Sequence, residues 1–161
     1  MVDVKHRFSE ETITTTTNCT YSIAIRTSAI PSAETTAYVF VQLIDEHGNT
    51  TDRVRLKCSL THRQKYQRGH SDLFLLVDQP YLGKLKSIEI THSHKESAEV
   101  SQKNWHLHSV MVIEHANFLL YRFPCGQWIS TNNENTSTTI VLDAVGEPFP
   151  IVPVDLSQTS E

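Results

Sequence analysis

Apolar side chains recur in short alternating or continuous runs separated by turn residues. In "CTYSIAI" Tyr21, Ile23 and Ile25 share one face. "AYVFVQLI" is almost wholly apolar, β-branched and aromatic, as a central strand should be. "EHGN" then makes a turn, with Gly48 free to take positive φ. "DRVRLKCSL" alternates, which predicts Val54, Leu56, Cys58 and Leu60 inward and Arg53, Arg55 and Lys57 outward. "DLFLLV", "LKSIEIT", "WHLHSVMVIE", "FLLYRF" and "STTIVLD" continue the series. No stretch has a helical apolar stripe. Many short strands without helices between them predict an all-β fold, an antiparallel β-sandwich or barrel. The expected core includes Ile23, Val39, Val41, Leu56, Phe74, Leu76, Ile88, Leu107, Val112 and Phe123.

The runs divide the chain into three parts. Residues 1–18 are polar and read as a flexible lead-in, and residues 19–143 form one domain. Residues 144–161 carry three prolines and read as an extended or disordered tail. With 161 residues, 39% of them hydrophobic, the chain is long enough to bury a real core. The net charge of -4 argues against nucleic acid as a partner. No apolar run approaches the roughly 20 residues that span a bilayer, and no signal segment opens the chain. A tie to membrane is therefore expected to be peripheral, or to come from the rest of a larger protein. Cys19, Cys58 and Cys125 are odd in number and widely spaced, which fits a reducing compartment better than a disulfide framework. N-x-[ST] triplets at Asn18, Asn49 and Asn135 are expected by chance in a chain so rich in Ser and Thr.

Two H-x-H pairs raise the question of metal. His92 with His94, or His106 with His108, would share a strand face, and four imidazoles from neighbouring strands would suit zinc or copper. The simpler expectation is polar residues on a solvent face and loop, with no metal. Catalytic motifs such as G-x-S-x-G, a P-loop or H-E-x-x-H are absent, and Cys125 reads as a core residue, not a nucleophile. The chain is therefore not expected to be an enzyme. Trp105 and Trp128 are expected in the core.

Up-and-down connectivity would gather alternate loops at opposite ends. One end collects "SAIPSAETT", "THRQKYQRGHS" and "HSHKESAEVSQKN", with Arg63, Lys65, Arg68, Lys95 and Lys103 against Glu34, Glu96 and Glu99. The other collects Asp45, Glu46, Asp52, Asp78 and Glu114.

In order along the chain, "YSIAIRT", "ETTAYVFVQLIDEHGNT", "HSDLFLL", "LGKLKSIEITHSH", "NWHLHSVMV" and "YRFPCGQWIS" resemble a PLAT domain, also called the lipoxygenase homology (LH2) domain. They cover about residues 21–130. "T-A-x-V" with "G-x-T" and "D-L-F-L" is most similar to the domain of polycystin-1-type membrane proteins. "F-P-C-G-x-W" is also similar to that of certain Rab-regulating proteins. The resemblance implies two four-stranded antiparallel sheets and a non-catalytic binding module. It implies placement on the cytoplasmic side of a membrane, as a domain of an integral membrane protein. It also assigns His92 to a position that is structural in the family. Family members that bind calcium draw oxygens from loops that here read "SAIPSAETTA" and "HSHKES"; Ser93 and His94 stand where the motif has Asp and Asn. Ca²⁺ needs six to eight oxygens, several from carboxylates, so no calcium or other cofactor is expected. The implied partners are anionic membrane lipids, a protein partner, or both. Arg63, Lys65, Tyr66, Arg68, His92, His94 and Lys95 are the expected lipid-binding residues. The rival expectations are a protein–protein adaptor without lipid binding, and an accessory domain of a lipase or lipoxygenase.

Overall fold

The computed structural model describes residues 18–94, 104–131 and 136–151. Its strands are β1 (Asn18–Thr27), β2 (Tyr38–Asp45), β3 (Val54–Arg55), β4 (Ser71–Pro80), β5 (Leu85–Ser93), β6 (Asn104–Glu114), β7 (Leu119–Ser130), β8 (Ser137–Asp143) and β9 (Phe149–Pro150). They form two sheets, of order β4-β1-β6-β7-β9 and β3-β2-β5-β8, and every pairing is antiparallel. The alternating residues of both sheets meet in one core. All ten residues expected there are at most 3% exposed.

The first sheet has five strands where four were expected. Phe149 pairs with Leu120 and Pro150 with Leu119, and the Ile151 amide donates to the Phe118 carbonyl at 2.7 Å. Pro150 has no N–H to give, so β9 sits at the sheet edge, where proline is tolerated. The alternation expected through Leu60 also stops early. Leu56 is buried, its amide donating to the Val39 carbonyl, but Cys58 and Leu60 are exposed. The reason is a change of sheet: the Leu60 amide donates to the Leu73 carbonyl of β4. The chain crosses from one sheet to the edge of the other, and the period of two is lost.

Asp45 closes the turn after β2 and is 1% exposed. Its carboxylate accepts from the amides of His47, Asn49 and Gly83 and from Asn49 Nδ2. Burial pushes its pKa up, but these donors outweigh burial and hold it below the ordinary aspartate value. Gly48, at φ +85, supplies the left-handed residue of the turn. Asp45→Ala would leave several donors unsatisfied, and should destabilise the domain by about 2 kcal/mol in urea unfolding at neutral pH.

Candidate functional site

Antiparallel alternation sorts the connections as expected. Loops 28–37 and 56–70 lie together at one end: the Gly69 amide donates to Ser28 and the Thr35 amide to Tyr66. The His106 amide, near the start of β6, donates to Ala33, and His92, near the end of β5, shares a hydrogen bond with Thr35, bringing these strand ends to the same place. At the opposite end the Glu46 amide donates to Lys84, and Asn117 Nδ2 donates to the Tyr81 hydroxyl.

Six of the seven expected lipid-binding residues are described, and they do not form one surface. Arg63 and Arg68 are exposed on loop 56–70. Lys65 is half-buried, its Nζ donating to the Leu56 carbonyl at 3.0 Å. Burial, followed by the charge of Arg55, lowers its pKa. Tyr66, expected to touch lipid, is 1% exposed and faces Trp105 and Phe74. The cause is local. Tyr66 takes φ +60, and its amide donates to Asp72 Oδ2. Asp72 is itself fully buried and also accepts from Ser59 Oγ, so one carboxylate folds the loop inward. His92 and His94 are buried too, at 0% and 7% exposure. His92 Nε2 shares a hydrogen bond with Thr35 Oγ1, and its ring stacks on Trp105. Burial, then the neighbouring His94, pushes the His92 pKa down to about 4. These two histidines therefore belong to the packed interior and not to the exposed surface. Lys95, Lys103, Glu96 and Glu99 lie outside the described residues.

Two apolar side chains take the surface place expected of Tyr66. Leu60 is 60% exposed on loop 56–70, which also carries Arg63 and Arg68, and Ile30 is 41% exposed on the adjoining loop 28–37. The exposed carboxylate among the described residues of these loops is Glu34. Leu60 escaped the sequence reading because the alternation of "DRVRLKCSL" placed it inside.

The opposite end is less acidic than expected. Asp45 and Glu114 are buried, and Lys84 and Lys86 stand beside the exposed Glu46 and Glu147. The neighbouring strands that four converging imidazoles would need are not found: His92 is on β5 and His106 and His108 are on β6, in different sheets. Among the described residues no group of three or more His, Cys, Asp or Glu could hold a metal. Trp105 is in the core as expected, but Trp128 is 47% exposed and stands edge-on to His106. Cys125 is half-buried against the core, and all three cysteines are unpaired.

The fold is shared with solved structures of larger proteins. A LOX variant in complex with arachidonate superposes at TM-score 0.64 and 19% identity, covering 79% of this chain and 16% of that one. Coral 8R-lipoxygenase, described as calcium-activated via a C2-like domain, gives 0.61 at 20% identity over 78% and 17%. The alpha-toxin of Clostridium perfringens gives 0.57 at 16% identity over 78% and 31%. At such identities these likenesses establish the fold alone. In sequence, the lipoxygenase homology domain-containing protein 1 of Homo sapiens is 28% identical over 115 residues, and that of Mus musculus 29%. The match takes in 71% of this chain but only 5% of either relative, so it concerns one domain's length within a far longer protein. The model of the PLAT/LH2 domain family matches residues 21–142, from the first core tyrosine of β1 to the last buried leucine of β8, and the chain belongs to that family.

Proposed function

We propose that this domain is a non-catalytic module that sets a host protein on an anionic lipid surface, through the end formed by loops 28–37 and 56–70. The observation that supports it is the company of Arg63 and Arg68 with exposed Ile30 and Leu60 on those adjoining loops. Each Lys or Arg near an anionic surface contributes about 1 kcal/mol, and an apolar tip adds burial below the headgroups. Two arginines and two apolar tips give weak binding. A host anchored in the same membrane would raise it by effective concentration. The polycystin-like motifs favour such a host, with the domain on its cytoplasmic face, and the unpaired Cys58 at the surface suits that compartment. The contact is expected to need no calcium, because the sequences "SAIPSAETTA" and "HSHKES" carry too few carboxylates.

Vesicle flotation tests the reading. Wild type should float with anionic vesicles, lose binding as salt rises through the range where the Debye length falls below about 8 Å, and be indifferent to a calcium chelator. The Arg63→Glu/Arg68→Glu variant should lose most of the bound fraction. Equal flotation of the variant would remove the arginines from the contact.

A second reading, a protein–protein adaptor, is favoured by the outer face of the five-stranded sheet. Leu75, Val77, Met111 and Phe149 are 43–56% exposed there. Register places Leu75, Ser22, Ile113, Leu120 and Phe149 in one row across it. Failure of wild type to float on any vesicle would favour that face.

A further inference from the structure

We infer that the cavity between the start of β2, β3 and residues 64–67 is a binding site for a phosphomonoester, held by Arg55 and Lys65. The inference deepens the membrane reading and rests on it for the source of the ligand, but not for the ligand's chemistry.

The cavity measures about 310 Å³, at the lower end of small-ligand sites and enough for a phosphorylated headgroup without its acyl chains. Arg55 and Lys65 line it from two different segments of the chain. Neither has an ion-pair partner among the described residues. Both are held in place by neutral groups. The Arg55 guanidinium lies 4.0 Å from the centre of the Tyr38 ring, which leaves its edge donors free. Lys65 spends one donor on the Leu56 carbonyl and keeps two. Two like charges so fixed repel one another. Burial, then the charge of Arg55, lowers the pKa of Lys65, against the smaller opposing pull of Cys58 and the buried Asp72. A ligand carrying about two negative charges between them would relieve that repulsion, and a phosphomonoester carries -1.5 to -2 at neutral pH where a phosphodiester carries one. Arginine's fork suits phosphate oxygens, and Gln64, Gln67 and Thr36 on the wall offer neutral partners to the hydroxyls of a polyol. Tyr66, almost wholly buried, lines the inner side, and its hydroxyl has no hydrogen-bond partner among the described residues. The cavity is lined by residues of loops 28–37 and 56–70, so a headgroup could reach it from the surface proposed to meet the membrane.

The test has a soluble arm and a vesicle arm. In the first, glycerol 3-phosphate is titrated into the ¹⁵N-labelled domain. Saturable amide shifts should be confined to Tyr38, Arg55 and residues 64–67, and should be lost in Arg55→Gln/Lys65→Gln, whose remaining spectrum reports that it is folded. In the second, vesicles of phosphatidic acid, a monoester, are compared with phosphatidylglycerol, a diester, at matched surface charge. Wild type should prefer phosphatidic acid by about threefold or more, and the double variant should bind both alike. Shifts with glycerol 3-phosphate but no preference between vesicles would support the site and assign it to a soluble phosphate ester. Shifts without binding to either vesicle would support the site and overturn the membrane reading. Absence of shifts at the cavity together with equal binding to the two vesicles would overturn the site and leave the membrane reading standing.

Discussion

Trp105→Ala should destabilise the domain by about 4 kcal/mol, at the upper end of what a single core truncation costs. Trp105 is completely buried between the sheets. Its ring stacks on His92 at 5.9 Å and tilts against Tyr66 at 5.3 Å, and its Nε1 donates to Thr27 Oγ1 at 3.0 Å. Alanine would open a cavity under the loop end, since Tyr66 and His92 would each lose a wall. Truncating Trp128, nearly half exposed, should cost less than about 1 kcal/mol. Urea unfolding followed by far-UV circular dichroism measures both without relying on tryptophan fluorescence. Similar losses at the two positions would mean that the core is not organised around Trp105.

Acid should weaken the fold through His92. In the unfolded chain its imidazole takes a proton near pH 6.5; in the fold burial, then the charge of His94, holds that step down to about 4. Between those values the unfolded state binds more protons, so stability falls as pH drops from 6.5 to 4. Above 6.5 both states are neutral and nothing is lost. Below 4 both are charged and the loss is complete, at roughly 3 kcal/mol for a shift of this size. Thr35 shares the Nε2 bond and the Trp105 ring covers the imidazole, and neither supplies a negative charge. His92→Gln removes the titration. Its stability at pH 7 should be below that of wild type, and the gap should narrow as pH falls through the window. Parallel profiles for the two proteins would assign the acid sensitivity to other groups.

The same histidine shows how much of this protein is legible from its residues. Alternation along β1, β2, β4 and β5 identifies the core where a strand keeps one face inside, as with Asp72, Phe74 and Leu76 on β4 and Ile88, Ile90 and His92 on β5, and it slips at the bulges, where Gln79 and Leu85 are buried out of phase. His92 and His94 are in phase with Ile88 and Ile90, all of them buried. The polar look of "THSHKES" suggests a surface loop, yet the period of two already places both imidazoles inward. Trp128 carries a similar signal, one residue out of phase with the buried Ile129. Tyr66 carries none. A left-handed tyrosine pinned by a buried aspartate six residues later arises from the tertiary path of loop 56–70, which no local pattern encodes. Nor does the alternation of Arg55 on β3 hint that Lys65, ten residues on, lines the same cavity. The gathering of alternate loops at one end follows from connectivity alone and needed only the strand count to be right up to β8.

We propose loops 28–37 and 56–70 as the membrane face. Paramagnetic broadening of the domain's amides by spin-labelled lipid in anionic bicelles tests it most directly. Broadening should be strongest at Ile30, Leu60, Arg63 and Arg68 and fade along the strands toward the turn at Asp45. Broadening centred on Leu75, Val77, Met111 and Phe149 would contradict it and would make the five-stranded sheet's outer face the contact surface.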